Sequence, residues 1–475
     1  MTTSTERAAR SSEIRALTGM RAVVATLVLL FHFQGPMLPY IEQVPFLRPF
    51  ISAGWTGVEA FFVLSGFLIT LAYGERMGTA PSVAKTVSFL VSRLARTWPA
   101  WAVVTVVMGA WLWTVRSLGW PSEFVASHPS ADALTLLRQL TMTQLWGEED
   151  LNGSSYVLPG WSISAEWTAY LAFPVLVLLL RPLHRLPSVL LLLLSVAAMA
   201  PLSVMAFVSG PQDFAQPWVL RIACGFTAGM LAALAVRRLR RSERTEAVAL
   251  TGVWTCLFLI ALGTLWAGWR VQGTGPHDYS GVIVVVFPLL IAGLTLTERG
   301  PARVLSGTAM TYGGRLSYSL YLVHFVVLDI VLTVFMRDGE PEGNLRAGMV
   351  LVLPLLILVS FALSAALYHG VEEPGRRLVL RGLHRLTGPA RLQARTRATA
   401  GRGIPASGVA VARVSPITGP RTASLAVSVA GAAPRQLPPI PPRPRVAGGA
   451  ERRMSLGHRS GPRGHHLGEI VGTAS

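Results

Sequence analysis

Charge is scarce in this chain. Only 14% of its 475 residues are Asp, Glu, Lys or Arg, where a soluble domain carries about 25%. That shortfall excludes an ordinary water-facing surface over most of the chain. With 51% hydrophobic residues and a mean hydropathy of +0.49, it points to an integral membrane protein. Cysteine is nearly absent. Cys224 and Cys256 both lie in apolar runs, which excludes a disulfide framework and a thiolate metal site and reads as core packing. Lysine occurs once, as Lys85 among 42 basic residues, a bias of codon composition and not of chemistry. The net charge of +18 comes without any zinc-finger, helix-turn-helix or RNA-binding signature, so nucleic acid is not an expected partner. No cleavable signal peptide is evident. The first apolar run follows a short basic N-terminus and continues to spanning length, as a signal anchor does.

What is present is a series of long apolar runs. A spanning helix needs roughly 20 such residues, and ten candidates meet that measure: about 15–36, 54–74, 98–115, 161–180, 187–208, 217–236, 247–267, 280–297, 315–336 and 347–369. The stretch 132–146 is shorter and more polar and reads as an interfacial helix in a long loop. Arginines concentrate in alternate loops, with five in "RRLRRSER" alone. By the positive-inside rule this places both termini in the cytoplasm. From Arg376 onward there are 17 arginines and two acids, so the basic excess is mostly a property of the tail. The expected organisation is therefore an all-α membrane domain over 1–377, embedded in the lipid bilayer. A tail over 378–475, rich in Arg, Pro, Gly and Ala, comes after it and is expected to be disordered.

Ionisable groups inside apolar helices are costly and usually mark function. In "RAVVATLVLLFH", Arg21 and His32 are eleven residues apart. That is about 1100° of helix, some 20° past three turns, so both share one face about 16 Å apart along the axis. An inward-snorkelling arginine and a histidine satisfied by a neighbour fit this pair equally well. "GWTGVEAFFVLSGFLI" places Glu59 at a depth comparable to His32, with Gly57 and Gly66 permitting close helix approach. A carboxylate there could orient the imidazole and stabilise its protonated form; a carboxyl at headgroup level is the alternative. In "SRLARTWPAW", Arg93 and Arg96 are neighbours at i and i+3, able to fork onto phosphates or simply to flank a span. "LPGWSISAEWTAYLAFP" carries Glu166, for which Arg221 is the expected partner, and Trp161, which also suits an interfacial belt. "GRLSYSLYLVHFVVLD" puts His324 mid-span near Tyr318 and Tyr321. "LYHGVEEPGRR" sets Glu372 and Glu373 where they can pair with Arg376 and Arg377 or border an entrance.

Six segments, taken together and in order, resemble the bacterial membrane acyltransferase 3 family, which O-acylates sugars and related hydroxyl groups. They are Arg21 with ten residues before His32, "GVEAFFVLSGFLI", "RLARTWPAW", "WSISAEWTAYLAFP", "GRLSYSLYLVH" and "VEEPGRR", and they cover about 1–380. The resemblance implies an acyl-CoA donor, usually acetyl-CoA, and no tightly bound cofactor or metal. It implies a hydroxyl acceptor on a glycan, an envelope polysaccharide or a glycosylated small molecule such as a macrolide. By matching position, Arg21, His32, Glu59, Arg93, Arg96 and Glu166 become functional candidates, followed by His324 and Glu372. The chain departs from the family at three places: Thr18 and Trp167 stand where acids are common, and Glu59 where aspartate is.

The expected chemistry rests on these residues. A hydroxyl needs a base at neutral pH, and imidazole titrates in the right range. His32 is assigned as that base, oriented by Glu59 or Glu166, with an acyl-histidine intermediate left open. Arg93 and Arg96 would hold the CoA phosphates and Arg21 would line the route, with Trp161, Arg221 and Tyr318 in support. The expected location is the bacterial plasma membrane, as a multi-pass protein. A transporter or flippase is the competing class. The pattern of broken, inverted hydrophobic repeats common in transporters is not evident.

Overall fold

The structure is a computed structural model, and it describes residues 14–387 apart from 80, 121–122, 150, 152, 211, 271–278 and 336–343. Ten helical spans in it are long and apolar enough to cross a bilayer, and each overlaps one of the expected runs. The first is α1 (Arg15–His32). The second runs Pro45–Thr79 around α2 (Thr56–Ile69), and the third is α3 (Val83–Ser117). A short helix, α4 (Ala133–Leu140), precedes the fourth span, which runs Leu158–Arg185 around α5 (Trp161–Leu180). Then come α6 (Ser188–Val208), α7 (Pro217–Arg238) and α8 (Glu243–Arg270), and after them the span Tyr279–Leu296 containing α9 (Phe287–Leu296). The set closes with α10 (Thr308–Phe335), α11 (Asn344–Leu367) and α12 (Glu373–Thr387). No strand occurs among the described residues.

The solvent of this surface is hydrocarbon, and the exposed residues say so. Along α8 the side chains of Trp254, Phe258, Leu262, Leu265 and Trp269 are all exposed. Their spacing of three and four puts them on one stripe, which in a water-soluble protein would face the core and here suits lipid. Two helix pairs are held at closer range by glycine. A Cβ at Gly66 of α2 would overlap the carbonyl of Phe226 on α7, and one at Gly314 of α10 would overlap the carbonyl of Thr18 on α1. These are the small-residue contacts that let backbones meet when lipid offers no hydrophobic driving force.

Two breaks in regular geometry matter for the site. The chain makes one π-helical turn at Thr70–Gly74, below α2, and another at Tyr368–Glu372, between α11 and α12. A π turn inserts one residue and re-aims the side chains beyond it. The second of them ends on Glu372, which is fully buried.

The connection between α3 and α5 is more built than its sequence suggests. The helix expected over 132–146 is confined to α4, residues 133–140. Its N-terminus is capped by Asp132, which accepts from the Thr135 amide at 2.8 Å. The Ser130 hydroxyl and that amide together hold the Asp132 carboxyl below its ordinary range. The indole of Trp101 donates to the Gln139 carbonyl (2.6 Å) and that of Trp98 to the Leu140 carbonyl (3.0 Å). Trp101 precedes the end of α3 by sixteen residues, about 24 Å along the axis, so the connection folds back that far beside α3. It is pinned at its far end as well. Arg116 donates to the carbonyls of Val125, His128 and Pro129, and His128 meets the buried Asp329 of α10 at 2.9 Å.

At the C-terminal end, α12 continues to Thr387. Helix therefore extends ten residues past the boundary expected at 377, and Gly375 near its start lies directly against Pro99 of α3. The rest of the expected tail lies outside the described residues.

Candidate active site

One cavity of about 140 Å³ is lined by α1, α2, α3, α5 and α10. Its wall contains Arg21, Arg93, Arg96, Glu166 and Tyr318, five residues chosen from the sequence that come from four separate helices. It also contains the hydroxyls of Ser65, Ser162, Tyr170, Tyr318 and Tyr321. Three guanidiniums face Glu166 in the lining and Glu372 behind Arg96, which leaves one positive charge in excess. Arg forks match the oxygens of phosphate in pairs, so the arrangement suits an anionic ligand.

Two of the three arginines are held by neighbours. Arg96 forms an ion pair with Glu372, whose other oxygen accepts from the Ser319 hydroxyl at 2.6 Å. Glu372 thus serves Arg96 and not the adjacent arginines. Glu373 takes those, meeting Arg376 at 2.9 Å and Arg377 at 2.8 Å. Arg93 lies over the Tyr73 ring, 5.5 Å from its centroid, with the Tyr73 hydroxyl 3.5 Å away. Tyr318 braces α10 against α3 through a hydrogen bond from its hydroxyl to the Thr97 carbonyl (2.8 Å).

His32 is half-buried and lies outside the cavity lining. Its expected carboxylate partner is replaced by a second imidazole. His324 Nε2 stands 3.2 Å from His32 Nδ1, while His32 Nδ1 also reaches the Val28 carbonyl and His324 Nδ1 the Leu320 carbonyl, each at 2.9 Å. A carbonyl only accepts, so both Nδ1 atoms carry protons. His324 Nε2 is then the acceptor that faces His32, and His32 Nε2 is left with its lone pair free. No hydrogen bond joins His32 to Glu59 or Glu166 among the described residues. The imidazole pair was not legible in the sequence because the two histidines are 292 positions apart, and only the packing of α1 on α10 brings them together.

Glu59 is engaged elsewhere. It pairs with Arg221 at 2.6 Å, and both side chains are almost wholly buried. Arg221 therefore belongs to Glu59 and not to Glu166, the partner expected from depth alone. The guanidinium lies between two indoles, 4.4 Å from the Trp161 ring centroid and 5.3 Å from that of Trp55. Trp161 thus acts here as a cation–π wall. Glu166 instead faces the cavity one turn before Tyr170, whose hydroxyl lies 3.4 Å from Ser65.

Between the cavity and the imidazole pair stands Tyr321. Its hydroxyl is 2.6 Å from Ser162 Oγ and donates to the Pro159 carbonyl at 2.8 Å, and its ring centroid is 6.0 Å from that of His324. The folded-back connection after α3 therefore ends in contact with a residue of the cavity wall.

The family model described as acyltransferase domain, of the acyltransferase 3 type, matches residues 14–369. The chain belongs to this acyltransferase family. Acyltransferase MdmB of Streptomyces mycarofaciens is 24% identical over 393 residues, covering 78% of this chain and 93% of its own length. A putative O-acetyltransferase of Staphylococcus aureus strain COL is 23% identical over 388 residues, covering 78% of this chain but 58% of its own. Protein 2 in the picA locus of Rhizobium radiobacter is 27% identical over 158 residues, 32% of this chain and 75% of its own. No solved structure matches. The matched region holds the cavity, the imidazole pair and the Glu59–Arg221 pair, so these belong to the acyltransferase domain. Sequence reasoning on this acyltransferase passed over Ser319, Tyr73, Asp329 and His128. Each acts through a partner on another helix or loop, which spacing along one helix does not reveal.

Proposed function

We propose that this membrane acyltransferase moves an acyl group, usually acetyl, from acyl-CoA to a hydroxyl of a sugar, envelope glycan or glycosylated small molecule. The reading places it in the bacterial plasma membrane with the arginine-rich helix ends in the cytoplasm. The observation that carries it is the three-guanidinium cavity whose wall includes Tyr321, next to an imidazole pair with His32 Nε2 free. In this reading Arg21, Arg93 and Arg96 bind the donor phosphates. The thioester then extends past Tyr321 toward His32, which lies about 16 Å from Arg21 along α1, a distance an extended pantetheine arm spans.

The acceptor hydroxyl gives its proton to His32 Nε2 as its oxygen attacks the thioester carbonyl. The C–S bond breaks, and CoA leaves as a thiolate that takes the proton back from His32. The Val28 carbonyl and His324 Nε2 share the His32 Nδ1–H throughout, the carbonyl fixing the tautomer and both steadying the imidazolium. General-base catalysis contributes about 10²–10⁴ in rate, and positioning of the two substrates more.

Purified protein in proteoliposomes, given acetyl-CoA and a panel of glycans and glycosylated metabolites, should release free CoA and form the acylated product. His32→Ala should lose both while inserting and folding normally. Movement of an acceptor across the membrane without CoA release would overturn the enzymatic reading in favour of transport.

A further inference from the structure

A second, separate pocket of about 740 Å³ lies at the ends of α5 and α7, beside residues 74–79. Four arginines line it, namely Arg181, Arg185, Arg237 and Arg238, against the single carboxylate of Glu75. Two of the four are fixed by the protein. Arg237 pairs with Glu75 and reaches the Thr70 carbonyl at 3.5 Å, and Arg238 donates to the carbonyls of His184 and, at 2.8 Å, Leu186. The guanidiniums of Arg181 and Arg185 are exposed and enter no ion pair or hydrogen bond among the described residues. Gly74 and Gly78 contribute no side chain to the wall.

This pocket is distinct from the cavity described above. Tyr170 borders the first and Arg181, just past the end of α5, the second, eleven residues later and about 16 Å further along the axis. Between them the buried Phe173 packs against Phe89 and Phe226, at ring-centroid distances of 5.0 and 6.1 Å. Ordinary flanking arginines spread around helix ends into solvent. Here two helix ends bring four into one concavity, two held in place by backbone carbonyls and two left free.

We infer that this pocket binds a phosphate ester at the membrane surface. A guanidinium presents two parallel N–H groups to two phosphate oxygens, and four guanidiniums against one carboxylate leave a lining net of +3 for a mono- or dianion. The phosphate can belong to a phospholipid headgroup or to a soluble ester, and both present the same oxygens. The inference is independent of which acceptor the enzyme acylates.

The test uses the full chain with two double variants of equal charge change. Arg181→Gln with Arg185→Gln empties the pocket of its free guanidiniums. Arg240→Gln with Arg244→Gln removes two exposed arginines that do not line it. One arm counts phosphatidylglycerol against phosphatidylcholine retained in native mass spectrometry. The other titrates delipidated protein with 3′,5′-adenosine diphosphate and with inorganic phosphate. The pocket variant should lose about tenfold in affinity or occupancy in one arm, and the control less than twofold. Loss in the lipid arm identifies a headgroup, and loss in the titration arm a soluble ester. Arg185→Lys keeps the charge and removes the fork, and should weaken the same arm severalfold with folding intact. Equal losses in the pocket and control variants, or none in either arm, would overturn the inference.

Discussion

Removing Arg221 leaves Glu59 as an uncompensated buried carboxylate. The pair meets at 2.6 Å with side-chain exposures of 1% and 0%. Deleting one partner of such a pair costs about 3–5 kcal/mol, whereas replacing both with apolar side chains of similar volume is often neutral or stabilising. Arg221→Leu also removes the cation stacked near Trp161 and Trp55, at about 0.5–2 kcal/mol. Arg221→Leu should therefore destabilise by roughly 4 kcal/mol or more, and Glu59→Leu by about 3 kcal/mol. The double variant should recover most of that loss, giving a coupling of at least about 2 kcal/mol in a double-mutant cycle. Unfolding of the four proteins in one detergent, by denaturant titration or thermal melting, measures it. Additive losses in the double variant would refute the view that each residue exists chiefly to neutralise the other. A double variant that regains stability yet transfers no acyl group would show that Glu59 also serves the chemistry.

Five further variants have expected outcomes. His324→Ala should lower kcat by about 10²-fold with little change in donor KM, since it acts on His32 through 3.2 Å of hydrogen bond; unchanged kcat would remove the imidazole pair from the mechanism. Arg96→Ala should raise the donor KM before it lowers kcat, and Glu372→Gln should do the same more weakly because it releases Arg96; an effect on kcat alone would argue against a phosphate contact. Asp329→Leu should loosen the connection after α3 by removing the partner of His128, and Trp111 also reaches that carboxylate at 3.3 Å; faster hydrogen exchange over 125–140 checks it. At Asp132 the folded carboxyl lies below its unfolded value. Its capping contribution is therefore full above the ordinary carboxylate range and is lost as pH falls through the lower folded value. Amide exchange in α4 of Asp132→Ala should exceed wild type at pH 7 and converge with it in acid.

Much of this protein can be read from its sequence because the bilayer is a severe solvent. A chain in hydrocarbon must satisfy its backbone within each helix, so runs of about 20 apolar residues were sufficient to find the ten spans among the described residues. Helical periodicity set Arg93 beside Arg96, and the cost of charge in lipid singled out Arg21, His32, Glu59 and Glu166. Partnership was decided by packing. Depth alone made Arg221 a match for Glu166, but Gly66 draws α2 against α7, and that approach delivers Arg221 to Glu59. Depth likewise offered His32 a carboxylate, while the approach of α1 to α10 at Gly314 supplied His324. The folding back of the connection beside α3 rests on indole-to-carbonyl bonds from Trp98 and Trp101, which carry no periodic signal. Solvent and periodicity act along the chain and can be read there. Which buried charge meets which depends on helix-to-helix distances that glycine and π turns set, and these exist only once the helices are packed.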